Sequence, residues 1–425
     1  MATSAADLSH HDSGSAPAGT SVYRRALAVR GVRSFFVATV PARLGGAMTG
    51  LGLLWLVHGS GGSYGRAGLV IGAFTLASAL SGPAAARVID RHGPTRTVPL
   101  LAGVHVLALT GVVLLVSLTP DGGPTGVVLA AAALAGAADL RVGALAAARW
   151  ARLLPTGPLL TAAYALEAFS TDAAYVAGPA LAGLLAALLP PVAAIIVAAT
   201  LTVGGAVAVT AQRRTAPPPA RPRPADPAAA RRRTAAGRLL TGRFAALMAV
   251  NLALGTLFGA TGVSVTAFAQ EHHAATSAGL VYGVLGAASM ASGLVYGRRH
   301  RRLPAHRQLP LALLALAVGY LPVLVADRAW TLAAALVLPG AALGPTVVLS
   351  CVLTQAAAPP TRLTQAFSTL ASVNALGLAG AAAAAGQVDD RWGAAAGFAI
   401  AQVALTTVAL AVAAARGRPD GPTGA

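Results

Sequence analysis

Lysine is absent from this chain of 425 residues: all 31 basic side chains are arginine. Charge of every kind is scarce at 10%, against roughly 25% in soluble globular proteins. So little charge cannot coat a water-soluble domain of this length. Aromatic residues make up only 5%, too few for a site that stacks sugar rings. The single cysteine, Cys351, excludes a disulfide framework within the chain. No Walker-type loop, HExxH pair, Cys/His cluster or GxSxG elbow occurs. The sequence therefore makes no case for an enzyme, and neither a metal nor a cofactor is expected. Residues 1–20 lack an apolar core, so no cleavable signal peptide is expected.

What is present is apolar. Hydrophobic residues reach 56% and the mean hydropathy is +0.69. Many windows of about 20 residues carry no charge, the length a helix needs to cross a bilayer. The class read from this is an all-α membrane protein. Apolar runs predict twelve transmembrane helices near 35–58, 66–88, 97–118, 125–149, 159–188, 191–211, 243–268, 277–297, 308–326, 331–353, 363–387 and 393–415. Residues 1–33 read as a disordered cytoplasmic tail, 34–211 and 243–415 as two six-helix halves, 212–242 as an Arg/Pro-rich cytoplasmic linker, and 416–425 as a cytoplasmic tail.

The arginines orient this arrangement. With both termini cytoplasmic, 26 of them fall on the inner side and only Arg66, Arg328 and Arg391 outside. Adding or dropping one span would move the central cluster or the 298–307 cluster to the wrong face. The net charge of +18 is thus dispersed over inner loops, which argues for orientation and against nucleic acid. Trp55, Trp150, Trp330 and Trp392 all fall at predicted span ends, where amphipathic rings anchor.

Between the second and third spans lies Gly82–Arg96, reading GPAAARVIDRHGPTR. Its Gly82, Arg87, Asp90, Arg91, Gly93 and Arg96 read as an inner gate loop, with Asp90 able to cap a helix start or pair with an arginine. A fainter copy runs from Gly293 to Arg302, with Arg298 in place of Arg87 and Arg301 in place of Asp90. The motif G-P-x-x-A-R-x-x-D-R-x-G resembles the loop 2–3 signature of the major facilitator superfamily of secondary transporters. The likeness extends over roughly residues 34–415 and has an actinobacterial, Ala/Arg-rich cast. In the fifth span Gly178, Pro179 and Gly183 are similar to the antiporter motif of drug-exporting members, with Ala174 and Ala182 where those have glycine. The resemblance implies a 6+6 fold in the cell (plasma/inner) membrane, alternating access and a mid-membrane site.

Ionisable side chains inside spans are functional candidates, since each costs about 2.5–3.5 kcal/mol to insert. The first half has five: Arg43, Asp139, Arg141, Glu167 and Asp172. Pairing two cations with three acids leaves one carboxyl over, and Asp172, then Glu167, are the proton-coupling candidates. The alternative is that all five lock helices together. On a continuous helix Asp139 and Arg141 would face apart. The second half shows no charge within its predicted spans. By the family resemblance, spans 1, 4, 7 and 10 line the cavity, and Asn251 and Gln355, with Asn374, are the candidate substrate contacts. The expected activity is proton-coupled export of small amphiphilic organic compounds. The expected partners are a small-molecule substrate, protons and the lipid bilayer, with no nucleic acid, and the expected state is a monomer. The rival readings are a facilitator or proton symporter for uptake of a small metabolite, and a non-transporting membrane receptor or scaffold.

Overall fold

The computed structural model describes residues 21–61, 64–119, 123–212, 241–272, 278–298 and 303–414. The terminal tails before 21 and after 414, the linker residues 213–240, and Arg301 lie outside the described residues. All regular structure among the described residues is helical. The helices are α1 (Val22–Ala28), α2 (Val32–Gly59), α3 (Tyr64–His92), α4 (Pro94–Leu118), α5 (Thr125–Ala137), α6 (Val142–Leu153), α7 (Pro158–Leu188), α8 (Val192–Ala211), α9 (Gly242–Glu271), α10 (Ala278–Arg298), α11 (Ala305–Tyr320), α12 (Ala329–Ala357), α13 (Leu363–Trp392) and α14 (Ala394–Ala414).

Among the described residues, eleven helical stretches are long and apolar enough to cross a membrane, with α5 and α6 counted together as one and α11 extended by its 3₁₀ turn to Val325. Helix α7 is not among the eleven, although its 31 residues exceed the ~20 a crossing needs. It carries Glu167 and Asp172. Several spans run to 28–33 residues, which a bilayer accommodates by tilt. Helices α2 to α8 pack among themselves, as do α9 to α14, and the two groups meet chiefly along α3 against α13 and α7 against α10.

Three expectations need correction. The fourth span is not one helix: it breaks between Ala137 and Val142, where neither glycine nor proline occurs. Arg141 takes φ 34° and ψ 47°, and is the one non-glycine residue with positive φ among those described. A side chain in that region is strained and persists only where its surroundings hold it. The gate segment is helix rather than loop. Helix α3 continues through His92, and Gly93 alone (φ 87°, ψ 148°) turns the chain into α4 at Pro94. Glycine is needed for that conformation. Helix α13 likewise runs on to Trp392, so Asp389, Asp390 and Arg391 belong to it. The second half therefore does hold a buried acid, Asp389, 8% exposed.

Small residues set the closest approaches. A Cβ on Gly255 would lie 2.0 Å from the Asn374 carbonyl oxygen, and one on Gly259 2.1 Å from that of Leu378. These two glycines stand one turn apart on α9, so α13 packs backbone to backbone against it, as small-residue pairs allow in membranes. Replacing Gly259 with Val should push α13 away and destabilise the protein by about 1–3 kcal/mol. Thermal unfolding in detergent should show a lowered Tm, whereas Gly286→Ala, with open space around it, should leave Tm unchanged.

Candidate functional site

The five charges of the first half sort into two pairs and a remainder. Arg43 on α2 pairs with Glu167 on α7, its Nη2 meeting Oε1. Its Nη1 also donates to the Glu167 carbonyl at 3.1 Å and to the Thr171 hydroxyl. The other carboxylate oxygen accepts the Trp150 indole N–H at 2.9 Å. Both oxygens of Glu167 are thus satisfied, as a buried carboxylate requires. Trp150 is wholly buried against Phe35 and Phe36, so it is a partner of Glu167 and not the interfacial anchor its position in the sequence suggests. Trp330 and Trp392 do stand exposed at helix ends.

The second pair lies at the break in the fourth span. Arg141 Nε stands 3.5 Å from Asp139 Oδ2. The two side chains meet because the backbone between them is not helical, which corrects the expectation that they face apart. The Ser78 hydroxyl donates to Asp139 at 2.8 Å, Arg141 donates to the Ser78 carbonyl, and Ser81 donates to the freed Ala137 carbonyl at 3.0 Å. Helix α3 thus stitches the break from the side. Gly82 leaves room for this: a Cβ there would be 3.0 Å from both the Arg141 guanidinium and the Ser372 hydroxyl of α13.

Asp172 is the remainder. No ion pair reaches it among the described residues, and its recorded hydrogen bond comes from the Ser289 hydroxyl of α10 at 3.3 Å. The carboxyl therefore sits on the seam between the two halves of the chain. Tyr175, one turn further along α7, was missed by the sequence reading. It is 69% exposed, yet Asp139, Arg141, Asp172 and Arg43 all act electrostatically on its hydroxyl. Tyr175 therefore stands exposed beside the charged groups of the first half. The available signal was a tyrosine at helical spacing from Asp172.

Across the seam, Asn251 donates to the Ser350 hydroxyl at 2.9 Å and accepts from the Asn374 side chain, at its backbone oxygen, at 3.2 Å. The structure thus joins Asn251 and Asn374 with Ser350. Gln355 lies further along α12, half-buried, and is not part of this group. In the α7 motif only Gly178 makes a close approach, its Cβ position 2.7 Å from the Ala47 methyl of α2; Gly183 has open space and Pro179 is exposed. His105 is a buried core residue, its Nδ1 2.8 Å from the Ala135 carbonyl and its Nε2 without a hydrogen-bond partner among the described residues.

One end of the seam is clasped. Asp90 Oδ2 accepts the Gln365 backbone N–H at 2.9 Å, with Thr364 also bonding it. Asp90 thereby caps the N-terminus of α13, where unpaired N–H groups and the helix dipole favour an anion. Nearby, Tyr23 donates to the Leu294 carbonyl, Tyr164 and Phe367 bring their rings to 6.0 Å, and Gly297 abuts Ala162 and Ala165. Arg87, Arg91 and Arg96 are exposed around this clasp. Among the described residues α2 and α9 make no extensive contact with each other. A separate apolar groove of about 880 Å³ opens between α10, α11 and α12, lined by Tyr296, Gln308, Leu311, Pro322 and Pro345. It lies on the outside of the bundle, away from these charges.

A bundle of membrane-length helices in two groups, with a charged seam between them, has the form of a transporter. The Major Facilitator Superfamily model matches residues 35–329, and the chain belongs to that family. No curated protein matches the sequence. Among solved structures the chain is similar to the human organic anion transporter MFSD10 (TETRAN), with TM-score 0.68, 18% identity and coverage of 92% of this chain and 99% of that one. It is similar to a bacterial homologue of the iron transporter ferroportin in the outward-facing state, with TM-score 0.73, 14% identity and coverage of 91% and 99%. It is also similar to the proton:xylose symporter XylE, with TM-score 0.62, 12% identity and coverage of 89% and 95%. At these identities the likeness shows the fold alone.

The two pairings lead to different stability effects. Glu167→Gln or Arg43→Met should each cost about 3–5 kcal/mol, because each leaves a buried charge alone. The double variant should cost less than the sum, and Asp172→Asn should cost little. A double-mutant cycle read by thermal unfolding checks this.

Proposed function

We propose that this chain is a proton-coupled exporter of small amphiphilic organic compounds, working by alternating access in the cell membrane. In this reading α7 is the twelfth span, both termini are cytoplasmic, and the protein acts as a monomer. Residues 34–211 and 243–415 are its two six-helix halves, joined by the linker 212–242. The inner-side arginines put the clasped end at the cytoplasm, so the described state is outward-facing. The likeness to a protein solved in that state supports the same assignment.

The observation that carries the reading is Asp172. Of Asp139, Glu167 and Asp172, it is the one with no ion pair among the described residues, it lies on the seam, and its hydrogen bond comes from the opposite half. A carboxyl so placed takes a proton from the open side, becomes neutral and no longer resists burial when the halves rearrange. Opened to the cytoplasm, it releases the proton as substrate binds. Glu167 and Arg43 hold α2 to α7 while this happens, and Asp139 with Arg141 holds α3 to the break in the fourth span. Tyr175, Asn251, Ser350 and Asn374 supply the few polar contacts of an otherwise apolar wall. Such a surface suits an amphiphile better than a sugar.

In proteoliposomes, Asp172→Asn should abolish efflux driven by a pH gradient, by at least about tenfold, the equivalent of about 1.4 kcal/mol. It should retain substrate exchange in the absence of a gradient. Gradient-driven efflux that survives in Asp172→Asn would refute the coupling role.

A further inference from the structure

The turn that ends α3 is built a second time in the chain. Asp90-Arg91-His92-Gly93 closes α3, and Asp390-Arg391-Trp392-Gly393 closes α13, a spacing of 300 residues. The backbones match as well. Gly93 has φ 87° and ψ 148°, and Gly393 has φ 78° and ψ 167°. The Gly93 N–H donates to the Ile89 carbonyl at 2.8 Å, and the Gly393 N–H to the Asp389 carbonyl at 2.9 Å. The residue before each aspartate is buried, Ile89 at 4% and Asp389 at 8% exposed. Asp389 is held there by the Ser264 hydroxyl at 2.9 Å. Asp390, the counterpart of Asp90, is exposed.

The two helices that carry these turns are neighbours of nearly equal length, 29 and 30 residues, and they run antiparallel. Their register is fixed at two points, Asp90 against Gln365 and Gly82 against Ser372. Eighteen residues on from Ser372 lies Asp390, and eighteen residues back from Gly82 lies Tyr64, the first residue of α3. Eighteen residues make about five full turns at 3.6 residues per turn, so Asp390 stands on the same stripe of α13 as Ser372, the stripe that faces α3. Carried to its other end, the register sets Asp390 opposite the first turn of α3, as Asp90 already stands opposite the first turn of α13. Each receiving end also carries an arginine: Arg362 at the N-cap of α13 and Arg66 as the third residue of α3.

We infer that Asp390 is a second latch, which caps the N-terminus of α3 in the state where the Asp90 end is open. Two antiparallel helices in contact near Gly82 and Ser372 rock about that contact. Closing one end parts the other, so one aspartate caps while its twin is solvated. In the described state Asp90 is engaged and Asp390 is exposed. The inference rests on alternating access, and is independent of the substrate and of proton coupling.

Distances test it directly. Spin labels on Ser60→Cys and Ala395→Cys, both exposed positions at the Asp390 end, are placed in the full-length Cys351→Ser protein in liposomes without substrate. Asp90→Ala should enrich a short-distance population, because it loosens the clasp at the far end. Adding Asp390→Ala should reduce that population relative to the long one by about fivefold, the equivalent of losing an N-cap worth about 1 kcal/mol. Asp390→Asn, which keeps a capping oxygen, should restore it in large part. If Asp390→Ala leaves the Asp90→Ala distribution unchanged, or shifts it to shorter distances, the second latch is wrong. If no variant, Asp90→Ala included, moves the distance, the alternating-access reading fails with it.

Discussion

A charge in the low dielectric of a membrane needs a partner, and in this chain that requirement shapes the first half. Arg43 and Glu167 meet between α2 and α7, with Trp150 brought in from α6 to satisfy the second carboxylate oxygen. Arg141 and Asp139 meet only because the fourth span unwinds, and Ser78, Ser81 and Gly82 of α3 accommodate the unwound segment. The helix break, the buried tryptophan and the small residues of α3 all follow from pairing four charges. Asp172 stands apart because the fifth charge has no partner, and the other half of the molecule meets it with a single serine hydroxyl.

The two halves divide labour unevenly. The first carries the ion pairs that are shielded from solvent, Arg43–Glu167 and Arg141–Asp139, and the unpaired carboxyl of Asp172. The second offers the amide network of Asn251, Ser350 and Asn374, and a backbone-to-backbone contact between α9 and α13 made possible by Gly255 and Gly259. Such a contact behaves as a rigid unit, because neither helix can slide without driving a carbonyl into a Cα. The second half thus presents a stiff wall along the seam, and its own buried acid, Asp389, is held by Ser264.

Most of the scaffold was legible in the sequence because apolar runs and arginine placement are long-range, redundant signals. The division at Pro190–Pro191 falls where α7 ends and α8 begins. The motif at Gly82–Arg96 marks a contact between α3 and α13, and Asp172 is the acid without an ion pair among Asp139, Glu167 and Asp172 in the described residues. What was hidden depended on tertiary contacts. Nothing in Ala138-Asp139-Leu140-Arg141 announces a break, since no residue there is a helix breaker and the strain is held by α3. Trp150 at a helix end looked like an anchor because sequence position does not say which way a ring points. Asp389 fell outside its predicted span because charge was taken to end a helix that in fact continues to Trp392. Gln355 looked equivalent to Asn251 by span number, yet lies too far along α12 to join its network.

The Asp90 clasp joins a carboxylate to the peptide N–H groups of Thr364 and Gln365 as well as to the Thr364 hydroxyl. A side-chain pair can drift together through compensating substitutions, but a carboxylate bonded largely to backbone has little in a partner residue's identity that can change to match it. Position 90 is therefore constrained mainly by the start of a helix, with Thr364 the one side chain tied to it, while Gln365 is free to vary provided a helix still begins there. Such a contact between the two groups of helices would consequently leave little pairwise trace in a family alignment.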